Sequence, residues 1–188
     1  MPYPSQIDAD RIVAVACEII EGEGVNALSL GKLAEALGVK APSLYRYFKN
    51  KAALLQAVNL RTLEAMFAAF DEALAGAPAT PSARLRAVAH AFRHFAHEQP
   101  RRYVLAMTAE VALTRPDENL LVEMILPIQA IMAEVTGDAA SLNALRGFLA
   151  LIHGYAMLEV HQQLQRGGDL DAAFNDSLNA YIAGWQKA

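Results

Sequence analysis

The sequence predicts an all-α protein, because of its composition, its helical periodicity and its scarcity of β-branched residues. Hydrophobic residues make up 54% of the 188 residues. Alanine and leucine dominate them, which is typical of helices rather than strands. Apolar residues recur at helical spacing along most of the chain, and no stretch reads convincingly as a strand. We therefore expect about nine helices and no sheet.

Two helices are predicted before residue 38. Apolar residues over about 7–20 share one helical face, and Gly22 and Gly24 end this helix. Ser29 then caps a short second helix, because its hydroxyl oxygen can accept a hydrogen bond from an unpaired N–H of the first turn. Gly38 ends that helix and begins a turn.

Two more helices follow this turn. Pro42 suits the first position of the third helix because its missing N–H would be unpaired there anyway. This helix is predicted to reach about Phe48. Asn50 caps a fourth helix that continues to about Leu74. The run 76–81 contains two prolines among small residues and is predicted to be a connection.

Five further helices are predicted after residue 81, separated by breaks that contain glycine or proline. Their approximate ranges are 82–97, 102–113, 119–135, 139–164 and 170–185. Pro127 lies inside the third of these, where it removes a backbone donor and is expected to kink the helix.

Cysteine usage and the N-terminus predict a soluble, cytoplasmic protein. Cys17 is the single cysteine, so no internal disulfide can form, and no Cys/His spacing typical of a zinc site occurs. The first residues lack the basic and apolar regions of a signal peptide, and no window reaches about 18 uninterrupted apolar residues. We expect no cofactor, no metal and no membrane partner.

The charge distribution is uneven along the chain. A net charge of −4 by itself argues against nucleic-acid binding. Between Ala36 and Leu63, however, there is no acidic residue. The positive charges in that window are Lys40, Arg46, Lys49, Lys51 and Arg61. The window therefore predicts a local phosphate-binding surface on an acidic protein.

The second and third predicted helices match the helix-turn-helix pattern, in which the second helix of the pair enters the major groove of DNA. Gly38 tolerates the positive φ of a tight turn, and Ala34 is small enough for close helix crossing. The apolar side chains beneath are Leu33, Leu37, Val39, Leu44 and Phe48. The residues left to face outward are Ser43, Tyr45, Arg46, Tyr47 and Lys51.

This region resembles the signature of the TetR (tetracycline repressor) family. The similar stretch is 28–55, LSLGKLAEALGVKAPSLYRYFKNKAALL. Leu44-Tyr45, Phe48, Lys51 and Leu54-Leu55 fall where the signature is strictest. In the second half, Ile152-His153-Gly154 followed by Leu158-Glu159 is similar to one subclass of TetR effector domains, without its usual neighbouring tryptophan.

The resemblance implies a homodimeric transcriptional regulator, usually a repressor. It implies a DNA-binding domain over 1–50 and a larger effector-binding and dimerisation domain over 51–188. The implied partners are double-stranded operator DNA with a pseudopalindromic site, a small apolar effector that releases the DNA, and a second copy of the chain.

Roles in DNA binding follow from the resemblance and from side-chain chemistry. Arg46 can donate two hydrogen bonds to guanine O6 and N7, so it is the expected base reader. Tyr45, Tyr47 and Lys51 suit phosphate oxygens, and Ser43 suits either role. A DNA phosphate could bind the first N–H groups of the third helix, because Ala41 is a poor cap. The remaining candidates are Ser29, Lys40, Ala41 and Pro42.

Two further sets of residues are candidates for the effector cavity and the dimer interface. Aromatic and methionine side chains suit varied apolar ligands. The cavity candidates are Phe92, Phe95, Met107, Met124, Phe148, His153 and Met157, although each alone also fits a plain core. The last two long helices are the expected dimer surface. Its candidates are Leu145, Leu149, Ile152, Phe174, Leu178, Ile182 and Trp185.

One alternative function rests on histidines. His90, His94 and His97 lie at i, i+4 and i+7, a spacing that can bind zinc or nickel and would favour a helical enzyme or metal-binding protein. Neighbouring arginines oppose a metal there, so a hydrated polar face and an anion site are the other interpretations. The sequence contains no evident nucleophile–base arrangement, glycine-rich phosphate loop or carboxylate pair to support an enzyme.

Overall fold

The computed structural model describes residues 7–108, 114 and 116–186. Within these residues the chain forms nine α-helices, one short 3₁₀ helix at Val25–Ala27 and no strand. The α-helices are α1 Ala9–Glu23, α2 Leu30–Ala36, α3 Ala41–Leu44, α4 Lys51–Gly76, α5 Pro81–Glu98, α6 Pro100–Thr108, α7 Glu118–Thr136, α8 Asp138–Val160 and α9 Leu170–Trp185. The predicted all-α class is confirmed.

Two predicted helix ends are wrong. The third helix stops at Leu44 instead of Phe48, and a turn follows in which the Leu44 carbonyl oxygen accepts from the N–H groups of both Tyr47 and Phe48. The eighth ends at Val160, not Leu164. Gln162 there has φ 54°, a left-handed conformation that ends the helix. The predicted end of the sixth helix, near residue 113, lies outside the described residues.

The chain divides into two compact units. The first comprises residues 1–64 and 99–117, and the second comprises 65–98 and 118–188. Helix α6 therefore belongs to the same unit as α1, α2 and α3. The predicted domain boundary after residue 50 stays a prediction, since these units follow contacts rather than a single cut in the chain.

The first unit is built around α1. Asp8 caps this helix by accepting a 2.7 Å hydrogen bond from the Arg11 N–H. Ile12 and Ile20 on α1 are fully buried, together with Leu33 of α2. The cluster continues through α3 and the start of α4, and Leu105 of α6 packs against it.

The core of the second unit lies among α5, α7, α8 and α9. Helix α8 approaches α9 closely at Gly147, where an added Cβ would overlap the Tyr181 hydroxyl oxygen and lie 3.1 Å from its ring. That hydroxyl donates a 2.6 Å hydrogen bond to the Ala144 carbonyl oxygen. Gly147 lies within a helix, where any residue can adopt the backbone conformation. Glycine is therefore required there because the close crossing leaves no space for a side chain.

Most of the predicted dimer residues belong to this core, which corrects that prediction. Leu145, Ile152, Phe174, Leu178 and Ile182 are at most 2% exposed within the single chain. Side chains that contact their own chain on all sides cannot contact a second copy as well. The other two candidates, Leu149 and Trp185, are half-buried. The helical spacing predicted the apolar faces of α8 and α9 correctly, but those faces pack into the core of the same chain.

Helix α7 is the most apolar helix in the part of the chain that the structure describes. By length and composition it could cross a membrane, and 22% of its most apolar window is buried. Core helices of soluble proteins pass the same test, so this composition assigns no membrane span.

Candidate nucleic-acid interface

Helices α2 and α3 form the predicted helix-turn-helix. Gly38 has φ 67°, as the tight turn requires. The turn is closed by a 2.9 Å hydrogen bond from the Val39 N–H to the carbonyl oxygen of Ala34, which is 3% exposed. The role predicted for Gly38 is confirmed, and the burial of Ala34 is compatible with the close helix crossing predicted there.

The apolar side of α3 anchors it and leaves its other side in solvent. Leu44 is fully buried, and Phe48 packs against the same core. Lys40, Pro42, Tyr45 and Arg46 are exposed, whereas Ser43 and Ala41 are half-buried. This arrangement exposes Tyr45 and Arg46 directly after α3, which is compatible with the predicted role of α3 as the reading helix.

Arg46 lies beside the ring of Tyr47. Its guanidinium carbon is 5.7 Å from the ring centroid, within the range of a cation–π contact. Stacking of this kind orients the flat guanidinium while its N–H edges can still donate in pairs. The geometry is compatible with the base-reading role predicted for Arg46, which stays a prediction.

Tyr47 is oriented differently from the prediction. Its side chain is half-buried, and its hydroxyl donates a 2.6 Å hydrogen bond to the Ile7 carbonyl oxygen. A phosphate oxygen needs a donor, and the single hydroxyl proton is already used. Tyr45, by contrast, is 55% exposed. Positions two apart in a helical turn cannot face the same way, and this signal was available in the sequence.

Ser29 and Lys51 combine structural contacts with their predicted DNA roles. The Ser29 hydroxyl accepts from the Lys32 N–H at 3.1 Å, which confirms it as the cap of α2. Its own proton can still be donated to a phosphate. Lys51 is exposed and its ammonium donates to the Val25 carbonyl oxygen at 3.3 Å. An ammonium has three donors, so this contact does not exhaust it.

The predicted phosphate site at the start of α3 has fewer donors than expected. Lys40 is the N-terminal flanking residue and makes no side-chain cap. Pro42 has no N–H, and the Ser43 N–H donates to the Lys40 carbonyl oxygen at 2.9 Å. Among the first three helical residues, only the Ala41 amide is left for the anion-binding role.

The basic window presents its charges unequally. Lys40, Arg46 and Lys49 are exposed near α3. Arg61 instead donates to the Asp10 carbonyl oxygen at 3.3 Å and is half-buried. The exposed positive charges of this window are therefore concentrated on the helix-turn-helix and the start of α4, where the phosphate-binding surface was predicted.

The predicted cavity residues are divided between the two units. In the second unit Phe92, Phe95 and Phe148 are buried, while Met124, His153 and Met157 are half-buried; Met107 lies in the first unit. Phe92 forms an edge contact with His153 at 6.5 Å between centroids and a stacked contact with Phe70 at 6.2 Å. Phe70 was missed by the sequence analysis. Burial lowers the pKa of His153, so its imidazole is neutral at pH 7.

The three histidines do not converge on a metal. His90 Nε2 lies 2.8 Å from Asn175 Oδ1, and His97 Nε2 lies 3.2 Å from Glu159 Oε2. His94 is exposed. Among the residues that the structure describes, no group of three or more potential ligands could hold a metal ion.

The contact at His97 belongs to an ionic network that the sequence analysis missed. Arg93 binds Glu159 with two hydrogen bonds of 2.7 and 2.6 Å, and it pairs with Asp171 at 2.7 Å. The Glu159 side chain is 3% exposed. Burial alone would raise the pKa of Glu159, but Arg93 and His97 outweigh burial and lower it. The network joins α5, α8 and the first turn of α9.

Two family models match the chain. The family described as bacterial regulatory proteins, tetR family, matches residues 12–58. The family described as tetracyclin repressor-like, C-terminal domain, matches residues 85–181, which is more than half of the chain. The first match contains the helix-turn-helix, and the second extends from α5 into α9.

Curated relatives extend over nearly the whole chain. An uncharacterised HTH-type transcriptional regulator of Mycobacterium tuberculosis is 26% identical over 98% of this chain and 84% of its own length. Another uncharacterised HTH-type transcriptional regulator, from Bacillus subtilis, is 25% identical over 92% of this chain and 90% of its own length. The class C tetracycline repressor of Escherichia coli is 39% identical over 29% of this chain and 25% of its own.

Solved structures share the fold. A TetR variant from Acinetobacter baumannii in complex with minocycline has a TM-score of 0.70 at 26% identity, covering 97% of this chain and all of its own. A Rhodococcus protein of unknown function has a TM-score of 0.77 at 23% identity, with both chains fully covered.

Proposed function

Because the chain belongs to the TetR family of bacterial regulatory proteins, we propose that it is a homodimeric repressor released from its operator by a small molecule. Members of the family are DNA-binding transcription factors, not enzymes, so the alternative of a helical enzyme or metal-binding protein is not supported. Because its relatives are transcription regulators, we assign it to the cytoplasm.

The observation that carries the proposal is the exposed Arg46 at the end of α3. It extends from a helix-turn-helix whose apolar side is buried, within a stretch of chain that has no acidic residue between Ala36 and Leu63. A guanidinium in this position can donate twice to one guanine. Tyr45, Lys40 and Lys51 would hold the backbone phosphates on either side.

Dimerisation is proposed on the outward faces of α8 and α9. A two-fold dimer would bring two α3 helices to successive major grooves about 34 Å apart. Leu142 and Leu158 of α8 are 44% and 38% exposed, so these large apolar side chains are available to a second copy. On α9 the exposed residues include Ala180 and Ala183, whose small side chains permit close helix approach.

The effector is proposed to be a small apolar molecule bound in the second unit. Support comes from the aromatic contacts of Phe92 with Phe70 and His153, and from the minocycline complex of the A. baumannii TetR variant. Release requires that the effector bind more tightly to the conformation that does not bind DNA.

DNA selection with the purified protein tests the proposal. We expect a pseudopalindromic site to be enriched at moderate salt, and transcription from a promoter carrying it to fall when the protein is added. Arg46→Ala should cost about 1–3 kcal/mol on that site and relax the base preference at one position in each half. Lys49→Ala removes one exposed charge from the same window and serves as the control, since it should weaken all sequences alike. Failure of the wild type to enrich any sequence would refute the proposed function.

A further inference from the structure

Tyr47 is fixed at its backbone, its ring and its hydroxyl. The hydroxyl donates a 2.6 Å hydrogen bond to the Ile7 carbonyl oxygen, and the N–H donates to the Leu44 carbonyl oxygen at 3.0 Å. The half-buried ring packs against the core that surrounds α1. A side chain held in this way has little rotational freedom, so the exposed part of its ring is a rigid surface beside α3.

The side chain of Arg46, by contrast, is exposed and lies on this surface. Its guanidinium carbon is 5.7 Å from the centroid of the Tyr47 ring, which is a cation–π distance. In the part of the chain that the structure describes, no carboxylate forms an ion pair with Arg46. The contact that can orient the guanidinium is therefore the ring of Tyr47.

The orientation of this guanidinium decides which part of the DNA it contacts. Two of its N–H groups reach O6 and N7 of one guanine when the guanidinium lies in the plane of the base. A long side chain that is free to rotate can instead turn to a backbone phosphate, a contact that carries no sequence information. A ring stacked on one face restricts this rotation and leaves the N–H edge available. The attraction to the ring also becomes stronger when DNA excludes water from it.

We infer that Tyr47 is a positioning residue for base recognition, whose ring holds Arg46 in the orientation that distinguishes guanine from the other bases. The inference rests on the proposed DNA-binding function, with Arg46 as the base reader. It replaces the phosphate contact first predicted for Tyr47, because the ring acts through Arg46 while the hydroxyl donates to Ile7. The hydroxyl then contributes to stability, and the ring contributes to specificity.

DNA selection, followed by titration of single-base variants of the selected site, tests this role. Wild type should prefer guanine at the position that Arg46 reads. Tyr47→Leu removes the ring and should reduce that preference by about two- to fivefold, which corresponds to an exposed cation–π contact. Its affinity for DNA of unrelated sequence should be unchanged, because the charge of Arg46 is still available to phosphates. Tyr47→Phe retains the ring and should retain the full preference.

A double-mutant cycle separates positioning from a general structural role. When Arg46→Ala is already present, Tyr47→Leu should cause no further change in base preference at that position, because the ring acts only through the guanidinium. Tyr45→Leu is the matched control, since it removes the exposed tyrosine that precedes Arg46. It should weaken binding to all four bases at that position alike.

Unfolding curves show whether Tyr47→Leu folds. If it does not, proton NMR of the wild type decides, because a ring stacked on the guanidinium shifts the signals of the neighbouring Arg46 side-chain protons upfield. Absence of that shift would overturn the inference. An unchanged guanine preference in folded Tyr47→Leu, or an equal loss in the Arg46→Ala background, would also overturn it. If the wild type enriches no sequence at all, the proposed function fails instead.

Discussion

The helix pairs α2–α3 and α8–α9 are held together by different means. Only residues 37–40 separate α2 from α3, and backbone hydrogen bonds close that turn. Residues 161–169 separate α8 from α9. That pair is joined by contacts between residues far apart in sequence, such as Tyr181 with Ala144. Single substitutions at such contacts should therefore destabilise α8–α9 more than α2–α3.

The largest effect is expected at the ionic network of the second unit. Glu159→Ala leaves the Arg93 guanidinium, whose side chain is 14% exposed, without its main partner. Loss of one partner of a buried pair costs about 3–5 kcal/mol, and we expect the lower end of that range because Arg93 keeps its pair with Asp171. Urea unfolding of the purified protein measures this cost. Glu134→Ala breaks a pair with Arg84 whose glutamate is half exposed, and it should cost less than about 1 kcal/mol. Equal losses in the two variants would show that the network adds no special stability.

The next effect concerns the crossing of α8 and α9. Gly147→Ala places a methyl group against Tyr181 and must displace its hydroxyl from Ala144, at a cost of about 1–3 kcal/mol. Gly154→Ala on the same helix meets nothing within 4 Å. It should stabilise the helix by up to about 1 kcal/mol, because alanine is the better helix former. The melting temperatures of the two variants measure these effects. If both variants are destabilised by the same amount, the close crossing at Gly147 does not explain the loss.

In the α2–α3 region the expected effects are smaller and separate stability from DNA affinity. Tyr47→Phe removes the hydrogen bond to Ile7 and should lower the free energy of unfolding by about 1 kcal/mol, with unchanged DNA affinity. Tyr45→Phe should leave the free energy of unfolding unchanged and lower the DNA affinity, because its exposed hydroxyl contacts only solvent or DNA. Unfolding curves and titrations with the selected operator measure both quantities. If Tyr47→Phe instead lowered the DNA affinity at unchanged stability, the phosphate contact first predicted for Tyr47 would be supported.

The smallest effect is a pH dependence confined to the second unit. The pKa of His153 is lowered below its ordinary value of 6.5, so the unfolded chain binds the proton first, and stability is lost as pH falls through about 6.5. Glu159 also has a lowered pKa, and its contribution is lost only below 4.5, as pH falls toward that lowered value. In urea unfolding, His153→Leu should flatten the first slope between pH 7 and 5 and leave unchanged the loss of stability below pH 4.5. An unchanged first slope would contradict burial of the neutral imidazole.

The sequence alone was sufficient to predict much of the helix-turn-helix formed by α2 and α3. The φ of Gly38 and the cap at Ser29 depend on neighbours within a few residues, so local patterns predicted them correctly. Helical spacing likewise identified Leu44 as part of the buried side of its helix. The local spacing could have shown that Tyr47 faces away from Tyr45, but the hydrogen-bond partner of Tyr47, the Ile7 carbonyl oxygen, is 40 residues away. Local patterns contain no information about a partner at that distance.

The α8–α9 pair shows the opposite balance. The sequence alone determined that these segments are helices with one apolar face, because helical periodicity depends on residues three and four apart. Only the tertiary structure decided that Leu145 and Phe174 face the core of their own chain, since an apolar face can be buried equally well within one chain or between two. Tertiary structure likewise brought Glu159 to Arg93 and Glu21 to Arg101. Charged side chains carry no sequence signal for their distant partners, because only folding decides which opposite charge lies within hydrogen-bonding distance.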